Sequence, residues 1–314
     1  MGLFSKIKKT QGGMVFELQA DGICVTRVTQ TTHAKPKVAL AKFYPLAQLE
    51  TSVLLSNIHK ELQTKRYDCS HLLSAGEYQL LTVETPGVPQ EELKTAVRWL
   101  LKDMLDYHVD DATIDVLDIP VDKNAPSRKA MMYVVAARNQ LIAQRQAMFD
   151  SVQIPLKVID IPELAQRNIA TQIAPADRGL ALLSVDQAGS LLTISFNGEL
   201  YLSRRLDINL IQIGTPNTEY QEQLFEKLTL ELQRTFDHID RQYPFISLAK
   251  LVLAPASPEI SALLAYLSSN LYIPVEILDL AAVFDLTPEL QQTEQQSRFW
   301  MSLGAALRHE DKAL

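Results

Sequence analysis

The chain holds 314 residues, 47% hydrophobic and 21% charged, with a formal net charge of −7. That length suits about two domains, and the composition belongs to an ordinary soluble globular chain. The acidic balance opposes a nucleic-acid binder, which carries a basic surplus or stripe, although a local basic patch stays open.

Cys24 and Cys69 lie too far apart for a CxxC redox or metal motif and read as small buried hydrophobes in a reducing cytoplasm. No run approaches the roughly 18 apolar residues of a membrane span, and the N-terminus lacks the apolar core of a secretory signal. Met1 to Lys9, MGLFSKIKK, opens like a myristoylation signal, but Lys6 stands where Ser or Thr belongs. It reads instead as a short basic tail whose Leu3, Phe4 and Ile7 graze a membrane or a partner.

From Met14 to Val28 two short strands flank Ala20-Asp21-Gly22, a hairpin turn, and a third strand follows from Lys37 to Tyr44. Val53, Leu54, Ile58 and Leu62 recur at helical steps and predict a helix from Glu50 to Thr64. A strand from Gln79 to Glu84 ends at Pro86-Gly87. Pro89 then begins a helix with Glu91 and Glu92 in its first turn and Leu93, Val97, Leu100, Leu101 and Met104 on one apolar face.

Asp103, Asp106, Asp110, Asp111, Asp115 and Asp118 do not fit the calcium-loop spacing, no glycine supplies its sharp turn, and they read as a solvated acidic face. Strands at Ala112 to Ile119 and Ala130 to Ala137, separated by VDKNAPSRK, and a helix from Asn139 to Phe149 complete a small insert. A strand from Ile154 to Ile161 and a helix begun by Pro162 lead to the expected hinge, Ala176 to Gly179.

The second half opens on GLALLSVDQAGSLLTISFNGELYLSRRL, Gly179 to Leu206. Leu180 to Val185 reads as a strand buried on both faces. In the next strand Leu192, Ile194 and Phe196 alternate with Leu191, Thr193 and Ser195, and Asn197-Gly198 supplies the two positive-φ positions of a type I′ turn. A long helix follows from Glu219 to Gln242, with Leu224, Leu228, Leu232, Phe236, Ile239 and Tyr243 on one stripe. The strand Lys250 to Leu253, a helix from Pro258 to Asn270, the strand Pro274 to Leu278 and a closing helix from Glu294 to His309 end the chain.

Common catalytic signatures are missing. There is no GxSxG, GxxxxGK[ST] or GxGxxG, and the six histidines offer no HExxH or i, i+4 pair, so each reads as a surface or half-buried residue and no metal is expected. With 11 glycines in the chain, places where backbone could cradle phosphate are few: the turn after Glu17 and the turn Asp186 to Ser190.

Five segments carry a family resemblance: VPQEELKTAVRWLLKDML (Val88 to Leu105), YVVAARNQLIAQRQAMFDSVQIPLKVIDIPELAQRN (Tyr133 to Asn168), the hairpin sheet Leu182 to Leu206, LTLELQRTFDHID (Leu228 to Asp240) and SLGAALR (Ser302 to Arg308). Together the chain resembles the PilM family of type IV pilus assembly proteins and, more narrowly, its branch in mannose-sensitive haemagglutinin (MSHA) pilus biogenesis. The resemblance implies an α/β, bilobed actin-like fold of the ribonuclease H-like (ASKHA) class, similar to PilM and FtsA, with a small α/β insert subdomain in the first lobe. It places the first lobe at 1–84 and 153–178, the insert at 85–152, the second lobe at 179–290, and at 291–314 a C-terminal helix that returns to the first lobe and ends at Arg308.

Actin-like proteins hold nucleotide phosphates with an Asp-x-Gly turn in each lobe, whose glycine lets backbone amides approach the anion. By resemblance the first turn falls on Glu17-Leu18-Gln19 and the second on Asp186-Gln187-Ala188, with Gly189 and Ser190 following one residue late. The family's adenosine-contacting Gly-Gly turn falls on Ala254-Pro255, and Pro255 has no amide to donate. Glu17, Gln19, Asp186, Gly189, Ser190 and Ala254 therefore outline a degenerate nucleotide cleft, with no catalytic residue assigned and ATP with Mg²⁺ bound weakly or not at all.

The function implied is a cytoplasmic scaffold at the inner face of the inner membrane that docks the cytoplasmic tail of a PilN-like membrane protein, alongside other pilus platform components. In that family the tail lies in a groove between first lobe and insert. The alternatives are an active Mg-ATP-binding ATPase of the same machinery, for which Glu17 and Asp186 are the residues on offer, and a GspL-like cytoplasmic component of a type II secretion system.

Overall fold

A computed structural model describes residues 13–29, 34–121 and 129–308. The basic N-terminal stretch, His33, most of the VDKNAPSRK loop and the chain from His309 onward lie outside the described residues. Two compact units divide the described chain: residues up to Ile119, 129–162 and Arg308 in the first, Pro120–Val121 and Glu163–Leu307 in the second.

The first unit runs β1 (Met14–Gln19), β2 (Gly22–Thr29), β3 (Lys37–Pro45), α1 (Thr51–Leu62), β4 (Cys69–Leu72), β5 (Tyr78–Glu84), α2 (Gln90–Leu101), β6 (Ala112–Ile119), β7 (Met131–Arg138), α3 (Asn139–Ser151) and β8 (Leu156–Asp160). Its larger sheet has the order β3-β2-β1-β4-β8: an antiparallel meander with β4 parallel to β1 and β8 parallel to β4. Phe16, Ile23 and Val25 pack with Leu54, Leu55 and Ile58 of α1 and Phe149 of α3. The inward residues of α1 thus include Leu55 in place of the expected Val53, which is exposed.

The second sheet, β5-β7-β6, is the insert. Every residue of β5 pairs with β7, from Tyr78↔Ala137 to Glu84↔Met131. The strand expected to close the first lobe before residue 85 therefore belongs to the insert. Its Val83 shares a core with Leu93, Val97 and Leu101 of α2 and Ile114, Val116, Met132 and Val134 of the other two strands. The apolar face of α2 is narrower than its periodicity predicts, because Leu100 and Met104 are exposed.

The second unit contains α4 (Pro162–Ile173, from Glu163 on), β9 (Gly179–Val185), β10 (Ser190–Phe196), β11 (Glu199–Leu206), α5 (Leu210–Ile213), α6 (Thr218–Gln242), β12 (Leu248–Ala254), α7 (Pro258–Asn270), β13 (Val275–Ile277), α8 (Leu280–Val283) and α9 (Thr293–Ala305). Its sheet, β11-β10-β9-β12-β13, repeats the first plan: three antiparallel strands, then two added in parallel. Asn197 and Gly198 have φ of 48° and 84°, as a type I′ hairpin requires.

Both faces of β10 are buried. Its polar side meets α4 rather than water: Thr193 Oγ1 donates to Gln166 Oε1 at 2.8 Å, and Gln166 Nε2 donates to Ser184 Oγ at 2.6 Å. These bonds draw α4 into the second unit, ahead of the hinge expected at Ala176 to Gly179. α9 goes with it. Asn168 Nδ2 donates to the Gly304 carbonyl at 3.0 Å, and a Cβ on Gly304 would lie 2.5 Å from the Ala165 carbonyl oxygen. Of the described C-terminal residues only Arg308 belongs to the first unit, where the whole closing helix was expected.

Candidate functional site

The hairpin of the first unit turns at Ala20-Asp21, with Gln19 opposite Gly22. Glu17 and Gln19 are accordingly strand residues of β1. Glu17 faces Cys24 of β2 on one side and Leu72 of β4 on the other. Backbone there belongs to the sheet ladder and not to an open loop. Gly22 has a packing reason instead of a turn reason: a Cβ would stand 2.3 Å from the Tyr44 carbonyl oxygen and 2.6 Å from the Phe43 ring, so β3 lies directly against it.

In the second unit Asp186, Gly189 and Ser190 form a single tight loop between β9 and β10. The Asp186 amide donates to the Gly189 carbonyl at 2.9 Å, and the Asp186 carboxylate accepts the amides of Ala188 at 2.7 Å and Gly189 at 3.0 Å. Gly189 sits at φ 154°, where a Cβ would press to 3.2 Å on the Leu206 carbonyl. Ser190 is buried, and its hydroxyl donates to the Ile208 carbonyl. The loop amides that an anion would need are thus engaged by the loop's own carboxylate, which adds negative charge at the same place.

Ala254 is buried at the end of β12 and pairs with Ser184 of β9. It shares the carboxyl edge of the second sheet with Asp186. Beyond it, Ser257 Oγ caps α7 by accepting the Ile260 amide at 3.3 Å, and Ser297 Oγ donates to the Ala256 carbonyl at 2.7 Å. Glu17 and Gln19 lie at the carboxyl end of β1 in the first unit. The six candidate residues therefore fall into two groups, one in each unit.

Three side chains of the first unit escape a reading by motif. His71 of β4 is buried, against the expectation of a surface or half-buried histidine. Its Nδ1 donates to the Phe16 carbonyl at 3.1 Å, and Nε2 has no hydrogen-bond partner among the described residues. Burial pushes its imidazole down to about 4; the Phe16 carbonyl opposes that shift, and the Arg145 guanidinium adds to it. Asp160, ending β8, accepts the Ile161 amide on Oδ1 at 2.9 Å and Arg308 Nη1 on Oδ2 at 3.0 Å. Only the alternation of Cys69 to Leu72 could have flagged His71, and no local pattern ties Asp160 to a residue 148 positions away.

Among the described residues no three His, Cys, Asp or Glu side chains gather to hold a metal ion, and no helix is long and apolar enough to cross a membrane.

No protein-family model and no curated protein matches the chain. Among solved structures it is similar to a PilM-PilN type IV pilus biogenesis complex, at 17% identity and a TM-score of 0.70 over 95% of this chain and 98% of that one. It is also similar to the cytoplasmic domain of EpsL, an inner membrane component of the type II secretion system of Vibrio cholerae, at 14% identity and a TM-score of 0.50 over 96% and 97% of the two chains. A Bacteroides thetaiotaomicron protein with an actin-like ATPase fold matches at 10% identity and a TM-score of 0.50 over 89% and 95%. The chain has the actin-like fold.

Proposed function

We propose that this chain is a PilM-like scaffold of a type IV pilus platform of the MSHA type, working at the cytoplasmic face of the inner membrane. It docks the cytoplasmic tail of a PilN-like membrane protein, joins other platform components through that partner, and meets the membrane only by way of it. The observation that carries this reading is the near end-to-end likeness to the PilM-PilN structure, which is greater than the likeness to EpsL and so favours the pilus over the secretion assignment.

The scaffold works without ATP turnover. The Ala188 and Gly189 amides are held by Asp186, Gln19 stands where a glycine would admit phosphate, and Pro255 has no amide to offer. Each missing charge-assisted contact costs on the order of 1–3 kcal/mol, so three cost on the order of 3–9 kcal/mol against the roughly 8 kcal/mol of a micromolar site. These residues fit a Mg-nucleotide poorly, so it binds weakly or not at all.

Thermal unfolding tests both halves, since a ligand of the native state raises the melting temperature by mass action. A peptide from the tail of the adjacent membrane component should raise it, and millimolar Mg-ATP should leave it unchanged. A clear rise with Mg-ATP would favour the ATPase reading; no response to any platform tail would remove the scaffold.

A further inference from the structure

Apolar side chains are exposed at the C-terminal end of α2 and in the turn that follows it. Leu93, Val97 and Leu101 are packed inside the insert. Trp99 stands about 200° round the helix from Val97 and Leu101. It is 74% exposed; Leu100, about 100° from it round the helix, is 45% exposed, and Met104, in the turn after the helix ends at Leu101, is 44% exposed. Tryptophan is usually well buried, and an exposed aromatic side chain of this kind marks a contact site. Glu92, two turns before Trp99, lies on its side of α2, Asp103 follows in the turn after Leu101, and neither makes an ion pair among the described residues. Lys102 lies on the flank, which leaves the acids in excess.

The chain contains a segment of complementary chemistry. Residues 1–9 place Leu3, Phe4 and Ile7 at three- and four-residue steps among Lys6, Lys8 and Lys9, and no acid precedes Glu17. The segment joins the first unit at Gly13, the first described residue. Twelve residues span up to about 40 Å when extended, enough to cross a unit of this size, whose radius of gyration is on the order of 15 Å.

We propose that residues 1–9 dock in the same chain over Trp99 and the C-terminal end of α2, with Leu3, Phe4 and Ile7 against Trp99, Leu100 and Met104 and the lysines toward Glu92 and Asp103. Apolar burial supplies the affinity, and the exposed ion pairs set the direction of the segment. A short tether holds its ligand at an effective concentration in the millimolar range, so a weak contact suffices. The surface is independent of the PilM-like reading, because it rests on α2 and the N-terminal residues alone.

Tryptophan fluorescence reads this contact directly. The chain has two tryptophans, and Trp300 is 6% exposed, so changes at the solvent-facing indole report Trp99. Deleting residues 2–10 should shift the emission to the red and increase quenching by acrylamide. Glu92→Lys with Asp103→Lys should do the same in the full chain and add nothing in the deletion. A free peptide of residues 1–12 should reverse the deletion's shift only near millimolar concentration. If the deletion folds poorly, the full chain with Lys6, Lys8 and Lys9 changed to Glu takes its place. Identical spectra with and without the segment would overturn the proposal. So would a shift that grows with protein concentration, which means a second copy, or one that appears only with vesicles of phosphatidylcholine and phosphatidylserine, which means a lipid surface.

Discussion

At His71 the imidazole exchanges water for the ring of Phe149, 5.5 Å away, and the carbonyl of Phe16. Free histidine titrates near 6.5 and this one near 4, so between those values the unfolded chain binds a proton that the folded chain does not. Stability is therefore intact above pH 6.5, falls as the pH drops toward 4, and levels off below. The contribution lost is about 3 kcal/mol. Urea unfolding at pH 7 and pH 4.5 should show this fall, and His71→Asn, which keeps a donor for the Phe16 carbonyl, should flatten it; an equally steep fall in the variant would exclude His71 as its source. Single residues were only partly legible in advance. Asp186 reads correctly as a turn residue, but which amides its carboxylate holds depends on how the loop closes. His71 sits in a strand of four residues, too short for its alternation to declare a buried face.

Among the elements, α9 shows how a local rule gives way to packing. Glycine inside a helix costs about 1 kcal/mol relative to alanine, so Gly304→Ala should stabilise an isolated α9. Here the added methyl would meet the Ala165 carbonyl oxygen at 2.5 Å and Ile169 Cδ1 at 2.9 Å. Backbone on α4 cannot yield as a side chain would, and the substitution should destabilise by about 2 kcal/mol. A urea midpoint that rises in Gly304→Ala would mean that α4 and α9 are looser than these distances require. Long periodic elements were readable: α6 buries Leu224, Leu228, Leu232, Phe236 and Ile239 as its stripe predicts, and the β10–β11 hairpin turns at Asn197-Gly198. β4 was not, because four residues carry too little pattern. In α2 the period was right, but Leu100 lies at the rim of the buried face, where sequence alone does not separate core from surface.

For the whole molecule, the recurrence of one strand plan depends on β4, which was not readable, and the membership of α4 and α9 was not legible either. α4 is tied to the second sheet by the hydrogen bonds of Gln166 with Ser184 and Thr193 and by the ion pair of Glu163 with Arg205 of β11, and such polar contacts leave no hydrophobic period to read. The same holds for Arg308, which reaches Asp160 at the end of β8. The Asp160 side chain is 2% exposed and that of Arg308 is 22% exposed, so the pair is shielded from most solvent screening. Removing one partner of such a pair leaves the other charge desolvated, and Arg308→Ala should destabilise by about 3 kcal/mol. Asp160→Asn keeps an oxygen to accept the Ile161 amide and discards the charge that Arg308 neutralises, so it should cost less. With both substitutions no orphaned charge remains, and the double variant should lose less than the sum of the two single losses. A double-mutant cycle by urea unfolding measures this directly. Strict additivity would mean that Arg308 and Asp160 stabilise the fold without acting on each other.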